Sequence, residues 1–240
     1  MKKNGKMILA LGVAVVLVAV IIAVILQTSG GKLDVVADAS ILSFQKVLEA
    51  AGNLVSEDQV NAGWSLEAPD GSVRFIWSSN FSQSPLYDIM VEFAADPFVS
   101  AGLDTTRLPE NHYSLTDKLM VGTKLGNDAP GSTGERTPLA ALQQIVMKYR
   151  SLIGYHTAMD HFNVNLGDGN MFEWAKDMGT NTVSKENQDK DIVFVLNPEP
   201  LIDAGVDPEN VQGWVYTTVS VDIDGKPTDV YKFLKPFNLQ

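Results

Sequence analysis

Histidines are the side chains of this chain best suited to metal or acid–base chemistry. His156 and His161 lie within six residues that also include Asp160, so one loop could gather two imidazoles and a carboxylate. Zinc and other transition metals accept these ligands in proteins. The spacing fits neither the i, i+4 ladder of a helix nor a His-Glu-x-x-His motif, and an exposed loop also accounts for it. His156, Asp160 and His161 therefore form a candidate metal site, while no cofactor is predicted.

Tryptophans offer a second set of candidates. All four fall in predicted strands or at their edges. Aromatic rings supply much of the energy of binding surfaces, and they also fill the cores of small sheets. Core packing is the expectation we favour. The ligand-binding alternative names the same four residues: Trp64, Trp77, Trp174 and Trp214.

Motifs for covalent or calcium chemistry are incomplete. Ser43 and Lys46 match Ser-x-x-Lys, but the Ser-Asp-Asn and Lys-Thr-Gly elements that support such a nucleophile are missing. Asp222 and Asp224 resemble a calcium loop, yet the glycine comes too early and no closing glutamate follows. Asp-Gly pairs are what a tight β-turn selects. The sequence therefore favours a protein without enzymatic activity.

Composition narrows the class of partner. The 240 residues carry a formal charge of −11 and contain no cysteine. Without the three lysines near the N-terminus the charge of the rest is −14. Such a surface repels nucleic acid, and it could attract cations or a basic partner. The lack of cysteine excludes disulfides, thiolate nucleophiles and cysteine-ligated metals.

The segment of residues 7–26 is apolar throughout. As a helix rising about 1.5 Å per residue, it matches the hydrocarbon core of a bilayer, about 30 Å. Lysines precede it and aspartates follow it, so the positive-inside rule places the N-terminus in the cytoplasm. We predict a single-pass cell-membrane protein with an extracytoplasmic bulk; a cleaved signal peptide is the alternative. The parts are a tail (1–6), an anchor (7–26) and a spacer (27–36).

An internal repeat is the most informative pattern. DIMVEF at residues 88–93 corresponds to DIVFVL at residues 191–196, and both continue without a gap to a proline and an Ala-Gly-x-Asp segment. Upstream of each, alternating apolar and polar residues reach an Asp-Gly pair, which is a hairpin signal. Order and spacing together predict a duplication.

Each half also contains a predicted amphipathic helix. In the first half the N-cap is predicted at Asp38 or Ser40, and in the second at Thr137, with Pro138 in the first turn. The apolar stripe of the first helix consists of Ile41, Phe44, Leu48 and Ala51, and that of the second of Leu139, Leu142, Val146, Tyr149 and Ile153.

The predicted fold class is α+β: a transmembrane helix, then two tandem duplicated modules, each a helix packed on a mainly antiparallel β-sheet. The modules cover residues 37–125 and 137–240, with a linker at 126–136. The last two strands are predicted at residues 214–221 and 229–234. The helix-then-strand order resembles cystatin-like or PepSY-like modules, a resemblance of element order that implies no activity.

Three functions are consistent with these patterns. We expect a non-catalytic, membrane-tethered extracytoplasmic binding or assembly module whose partners are other envelope proteins. One alternative is a sensor or carrier for a small molecule or cation, with a pocket between the halves near the tryptophan-bearing strands. The other is an envelope hydrolase with an unrecognised site, for which His156, Asp160 and His161 are the candidates.

Overall fold

The computed structural model describes residues 35–79, 86–110, 112, 117–125, 136–157, 159–178, 190–223 and 226–239. They form an α+β fold of two antiparallel sheets packed with helices. The predicted anchor, residues 7–26, lies outside this described part. Within it, no helix has the length and apolar character needed to span a bilayer.

The two halves have the same order of elements, except that the second has one further strand, β10 (Val215–Ile223). The first half comprises α1 (Val35–Ala51), β1 (Val55–Asp58), β2 (Gly63–Glu67), β3 (Val73–Ser78), β4 (Ile89–Ala94), α2 (Asp96–Ser100) and β5 (Lys118–Thr123). The second comprises α3 (Pro138–Lys148), β6 (Ile153–His156), β7 (His161–Gly167), β8 (Asn170–Ala175), β9 (Ile192–Leu196), α4 (Glu199–Asp203), β10 (Val215–Ile223) and β11 (Lys226–Phe237).

The first sheet has the strand order β1-β2-β3-β4-β5, and the second β10-β11-β9-β8-β7-β6. Their inner faces share one hydrophobic core with residues of both halves. Phe75 on β3 stacks on Phe172 on β8, with ring centroids 4.2 Å apart and planes within 2°. Phe44 on α1 contacts Trp77 of the first sheet and Trp174 of the second edge-on. The aromatic residues at the centre therefore join the halves.

Each main helix contacts the sheet of the other half. Helix α1 lies against β6 and β8, and α3 lies against β2 and β3. The Ser43 hydroxyl of α1 lies 2.9 Å from the carbonyl oxygen of Ala175. The Trp77 indole donates to the Pro138 carbonyl at 2.9 Å. Each helix therefore packs mainly on the sheet of the other half, and α1 also reaches its own sheet through Phe44 and Trp77. The expectation of a helix packed on a sheet is met, but an apolar stripe, which shows only that a face is buried, did not indicate which sheet.

Two loops meet reciprocally between the halves, after α2 and after α4. The Asp104 amide donates to the Ala204 carbonyl at 2.9 Å, and the Asp207 amide donates to the Ala101 carbonyl at 2.8 Å. The intervening glycines, Gly102 and Gly205, have φ values of +104° and +108°. A Cβ on either glycine would lie 2.8 Å from the carbonyl oxygen of the other. These reciprocal contacts relate the two loops by a local two-fold axis.

The predicted N-cap agrees with the structure in one half only. Thr137 accepts a hydrogen bond from the Ala140 amide at 3.2 Å, so the predicted N-cap of α3 is confirmed. Helix α1 already includes Val35, so Asp38 and Ser40 lie inside it rather than at its N-cap. The Ser40 hydroxyl instead donates to the Ala37 carbonyl at 2.6 Å, one turn back.

The C-terminal hairpin extends beyond the body of its sheet. Strand β11 pairs with β10 from Lys226 to Leu234, but it pairs with β9 only from Phe233 to Phe237. Both predicted strands of this hairpin exist and are longer than expected. Most of β10 therefore borders β11 on one side and no described strand on the other.

Candidate functional site

The predicted histidines do come together. His156 on β6 lies directly opposite His161 on β7. Glu173 of β8 lies beside both: its Oε1 is 3.4 Å from His156 Nδ1, and its Oε2 is 3.7 Å from His161 Nδ1. Asp160 lies in the turn between the strands, where it accepts a hydrogen bond from the Tyr155 hydroxyl. The cluster therefore contains Glu173 in place of Asp160.

Burial controls the electrostatics of this cluster. Glu173 is 1% exposed, and although burial acts to raise its pKa, the two imidazoles outweigh that effect and the pKa is lowered. The same contact raises the pKa of His156, against the opposing effect of its own burial. His161 Nε2 lies 3.0 Å from the Lys190 carbonyl, which can only accept, so this nitrogen carries the hydrogen. An ionised carboxylate beside a protonated His156 is the arrangement these contacts favour.

Access limits what the cluster can do chemically. The His156 side chain is 24% exposed, whereas His161 and Glu173 are sealed from solvent. Only His156 can exchange a proton with solvent directly. Among the described residues, no group of three or more histidine, aspartate or glutamate side chains has a geometry that could hold a metal ion. The metal role of His156, Asp160 and His161 stays a prediction.

The first half provides an internal comparison for the cluster. Its strands have the same register, and Asp58 and Gly63 occupy the cross-strand positions that His156 and His161 occupy in the second half. Asp58 is buried and accepts two hydrogen bonds from Asn61, at 2.9 and 3.1 Å. The two-histidine arrangement is therefore a feature of the second half, not a requirement of the shared strand pattern.

A polar cleft lies at the first sheet. Its volume is about 240 Å³, and it is lined by Glu67, Gly71, Val73, Arg74, Glu92 and Lys118. Arg74 pairs with Glu92 at 3.2 Å and approaches the buried Asp58 at 3.7 Å. The cleft thus presents charges of both signs. It is not the pocket between the halves that the sequence suggested for a carrier.

The tryptophans lie mainly in the core. Trp77 and Trp174 are fully buried, and Trp214 is 9% exposed. Trp214 packs on Phe93 and Phe98 of the first half, with ring centroids 5.6 Å apart in both pairs. Trp64 is half-buried and lies opposite Trp77 on the neighbouring strand. These positions suit packing between the halves, and a ligand-binding role of the four stays a prediction.

The four sheet edges differ in how they are protected. Strand β1 is four residues long and includes Glu57 and Asp58, and β6 is equally short. At β5, the Met120 amide donates to the His112 carbonyl at 3.2 Å. Strand β10 has nine residues, and residues 215–221 include neither a charge, a proline nor a glycine. Charges, prolines and short length are the usual protection of edge strands, so β10 stands out.

Two prolines in β11 reveal which backbone groups of β10 face outward. Pro227 lies opposite Asp222, and Pro236 lies opposite Val193 of β9. Proline has no N–H, so both positions are non-hydrogen-bonded pairs of their ladders. In an antiparallel ladder these pairs alternate with hydrogen-bonded ones, so the amides and carbonyls of β10 at residues 216, 218, 220 and 222 point away from β11. Among the described residues, no strand pairs with them.

Aromatic surface adjoins this edge. Tyr216 on β10 stacks on Tyr231 of β11, with ring centroids 5.2 Å apart and an interplanar angle of 14°. Tyr231 remains 54% exposed, and Val215 at the start of β10 is 39% exposed. The edge therefore combines exposed apolar side chains with backbone groups that pair with no strand of the described part.

Sequence reasoning missed both Glu173 and the open edge. For Glu173, the available signal was its position between Phe172 and Trp174 in a largely buried strand. The second had no local signal, since strand order is a property of the whole sheet. No family model, curated protein or solved structure matches the chain.

Proposed function

We propose that this chain is a membrane-tethered, extracytoplasmic binding or assembly module, and that a protein partner adds a strand to the open edge of β10. The observation that carries the proposal is that edge: nine residues long, uncharged over residues 215–221, with outward backbone groups at alternate positions. An extended segment that pairs with such an edge gains main-chain hydrogen bonds, and side chains nearby supply specificity.

The aromatic residues beside the edge support the same function. Tyrosines are enriched among the residues that contribute most to binding, because a large rigid ring loses little conformational entropy. Tyr231 and its stacked neighbour Tyr216 lie on the hairpin, next to the strand that would receive the partner. The anchor at residues 7–26 would hold this surface near the membrane and raise the local concentration of envelope partners.

We also propose that the two halves arose by duplication. Support comes from the matching element order, the reciprocal contact at Gly102 and Gly205, and two equivalent aspartates. Asp88 accepts from the Leu125 amide at 2.6 Å, and Asp191 accepts from the Leu239 amide at 2.9 Å. The long hairpin has no counterpart among the described residues of the first half, as expected of a copy that acquired a new contact.

Crosslinking of the full chain in native membranes tests the function. Thr218 is exposed, and its amide is one of those that point away from β11. Thr218→Pro removes that donor and leaves the β10–β11 ladder intact, whereas Thr218→Val keeps the donor. We expect the crosslinked adducts of the wild type to persist with valine and to be lost with proline. Membranes that yield only the monomer, or adducts indifferent to proline, would overturn the proposal.

A second candidate is a small-molecule binder, which the cleft at Arg74 favours. Its mixed charges suit a zwitterionic ligand such as a free amino acid, because each pole would meet an opposite charge. Thermal-shift measurements with free amino acids and with divalent cations test this. Stabilisation that is lost in Arg74→Gln would support it, and the absence of any shift would count against it.

A further inference from the structure

Charge on the C-terminal hairpin differs from charge on the rest of the chain. Residues 215–237 contain three aspartates and three lysines, so their net charge is zero. Apart from the three lysines near the N-terminus, the remaining residues carry a net charge of −14. Two copies of such a chain repel each other over most of their surfaces, but not where their hairpins meet. The open edge therefore lies where like-charge repulsion between copies is weakest.

Strand β10 is also complementary to itself. If two copies align antiparallel about a two-fold axis at Val219, residue 218 lies opposite residue 220 and residue 216 opposite residue 222. These are the positions whose backbone groups point outward. All of them then form hydrogen-bonded pairs, and the interface gains about eight backbone hydrogen bonds. An axis one residue to either side leaves at least one outward residue without a partner in β10.

We infer that the strand received by β10 is β10 of a second copy of this chain, in the register centred on Val219. The inference rests on the proposed function and names its partner. The second sheets of the two copies then join into one continuous sheet. The contact is isologous, the usual form of a homodimer interface. The uncharged run of residues 215–221 lies at the centre of this interface, which accounts for the lack of protective charges there.

Engineered cysteines test the register directly, because the chain has no cysteine of its own. In this register Val219 faces its own copy in a non-hydrogen-bonded pair, with Cα atoms about 4.5 Å apart, which suits a disulfide. Thr217 lies on the same face, but the Cα atoms of the two copies of Thr217 are about 14 Å apart, too far for a disulfide. Oxidation of the full-length Val219→Cys protein in membranes is expected to give about tenfold more disulfide dimer than oxidation of Thr217→Cys.

The outcomes separate this inference from the function on which it rests. Loss of the Val219→Cys dimer on adding Thr218→Pro, with retention on adding Thr218→Val, supports pairing through the edge. Equal crosslinking at the two cysteine positions, or none at either, overturns the homodimer. If crosslinking in membranes still gives proline-sensitive adducts with a different protein, the binding function stands and its partner is not a second copy.

Discussion

Substitution of the two facing glycines tests whether the halves form one cooperative unit. Gly102 and Gly205 lie where the loops after α2 and α4 exchange hydrogen bonds. With φ values of +104° and +108°, both adopt backbone geometry that costs an L-residue about 1–2 kcal/mol. A new Cβ would also lie 2.8 Å from the opposite carbonyl oxygen, so the loops would have to separate. Both effects act on Gly102→Ala and on Gly205→Ala.

Separation of the loops adds to the cost of backbone strain. The two hydrogen bonds, at 2.9 and 2.8 Å, contribute about 0.5–1.5 kcal/mol each. Each single substitution is therefore expected to lower the free energy of unfolding by about 2–5 kcal/mol. The double variant should lose less than the sum, because the first substitution already opens the contact that the second would break.

Gly167→Ala is the matched control. Gly167 has a φ of +91°, but a Cβ there would have nothing within 4 Å, so only the backbone strain of about 1–2 kcal/mol applies. Urea unfolding followed by the fluorescence of the buried tryptophans provides the measurement. If the Gly102 and Gly205 variants lose no more stability than Gly167→Ala, the close approach of the loops does not hold the halves together.

Three further predictions concern charge and hydrogen bonding. Because Glu173 raises the pKa of His156, their contact stabilises the fold fully below the ordinary histidine pKa of 6.5, and this stabilisation is lost as pH rises through the raised pKa. Glu173→Gln should therefore flatten the decline of unfolding free energy with pH in urea unfolding, and it should lower the His156 pKa measured by NMR. Burial acts to raise the pKa of Asp70, but hydrogen bonds from Lys235 and Ser72 lower it to about 2. The stabilisation from these bonds is present at neutral pH and is lost as pH falls from about 4 through 2. In acid titration, Asp70→Asn should therefore lower the unfolding free energy by about 0.2–1 kcal/mol at neutral pH and not at all at pH 1. Ser43→Ala should lower the free energy of unfolding by about 1 kcal/mol through loss of its hydrogen bond to the second sheet, whereas Ser43→Thr retains a hydroxyl at that position and should cost less. Urea unfolding measures both variants.

Local patterns predicted much of the fold. Alternating apolar residues before the Asp-Gly pairs identified the strands around Leu66 and Val164, and the Thr137–Pro138 signal identified the start of α3. The start of α1 was predicted too late, because Asp38 and Ser40 are good caps that also fit inside a helix. The exchange of the helices between sheets had no signal, since a buried stripe does not identify the surface that buries it.

The His156–Glu173 contact shows why the candidate site was only half predicted. Cross-strand neighbours depend on register, and the β7–β8 ladder shifts by one residue between Asn165 and Gly167. Counting back from the Asp168-Gly169 turn without that bulge places Glu173 one residue out of register, opposite Val164 rather than Asn163. The cluster could be found only once the bulge was known.

Comparison of one half with the other separates what the fold requires from what it does not. Where both halves agree, as at Asp88 and Asp191 or at Gly102 and Gly205, the residue makes the same structural bond twice. Where they differ, the structural constraint is absent in one half, so the difference needs another cause.

The buried histidine cluster and the long uncharged edge of β10 are both differences of this kind. The cluster is sealed, with solvent reaching only His156, whereas the edge presents backbone groups with which no described strand pairs. Surface access is what a partner requires, so the edge rather than the cluster is where binding should be sought first.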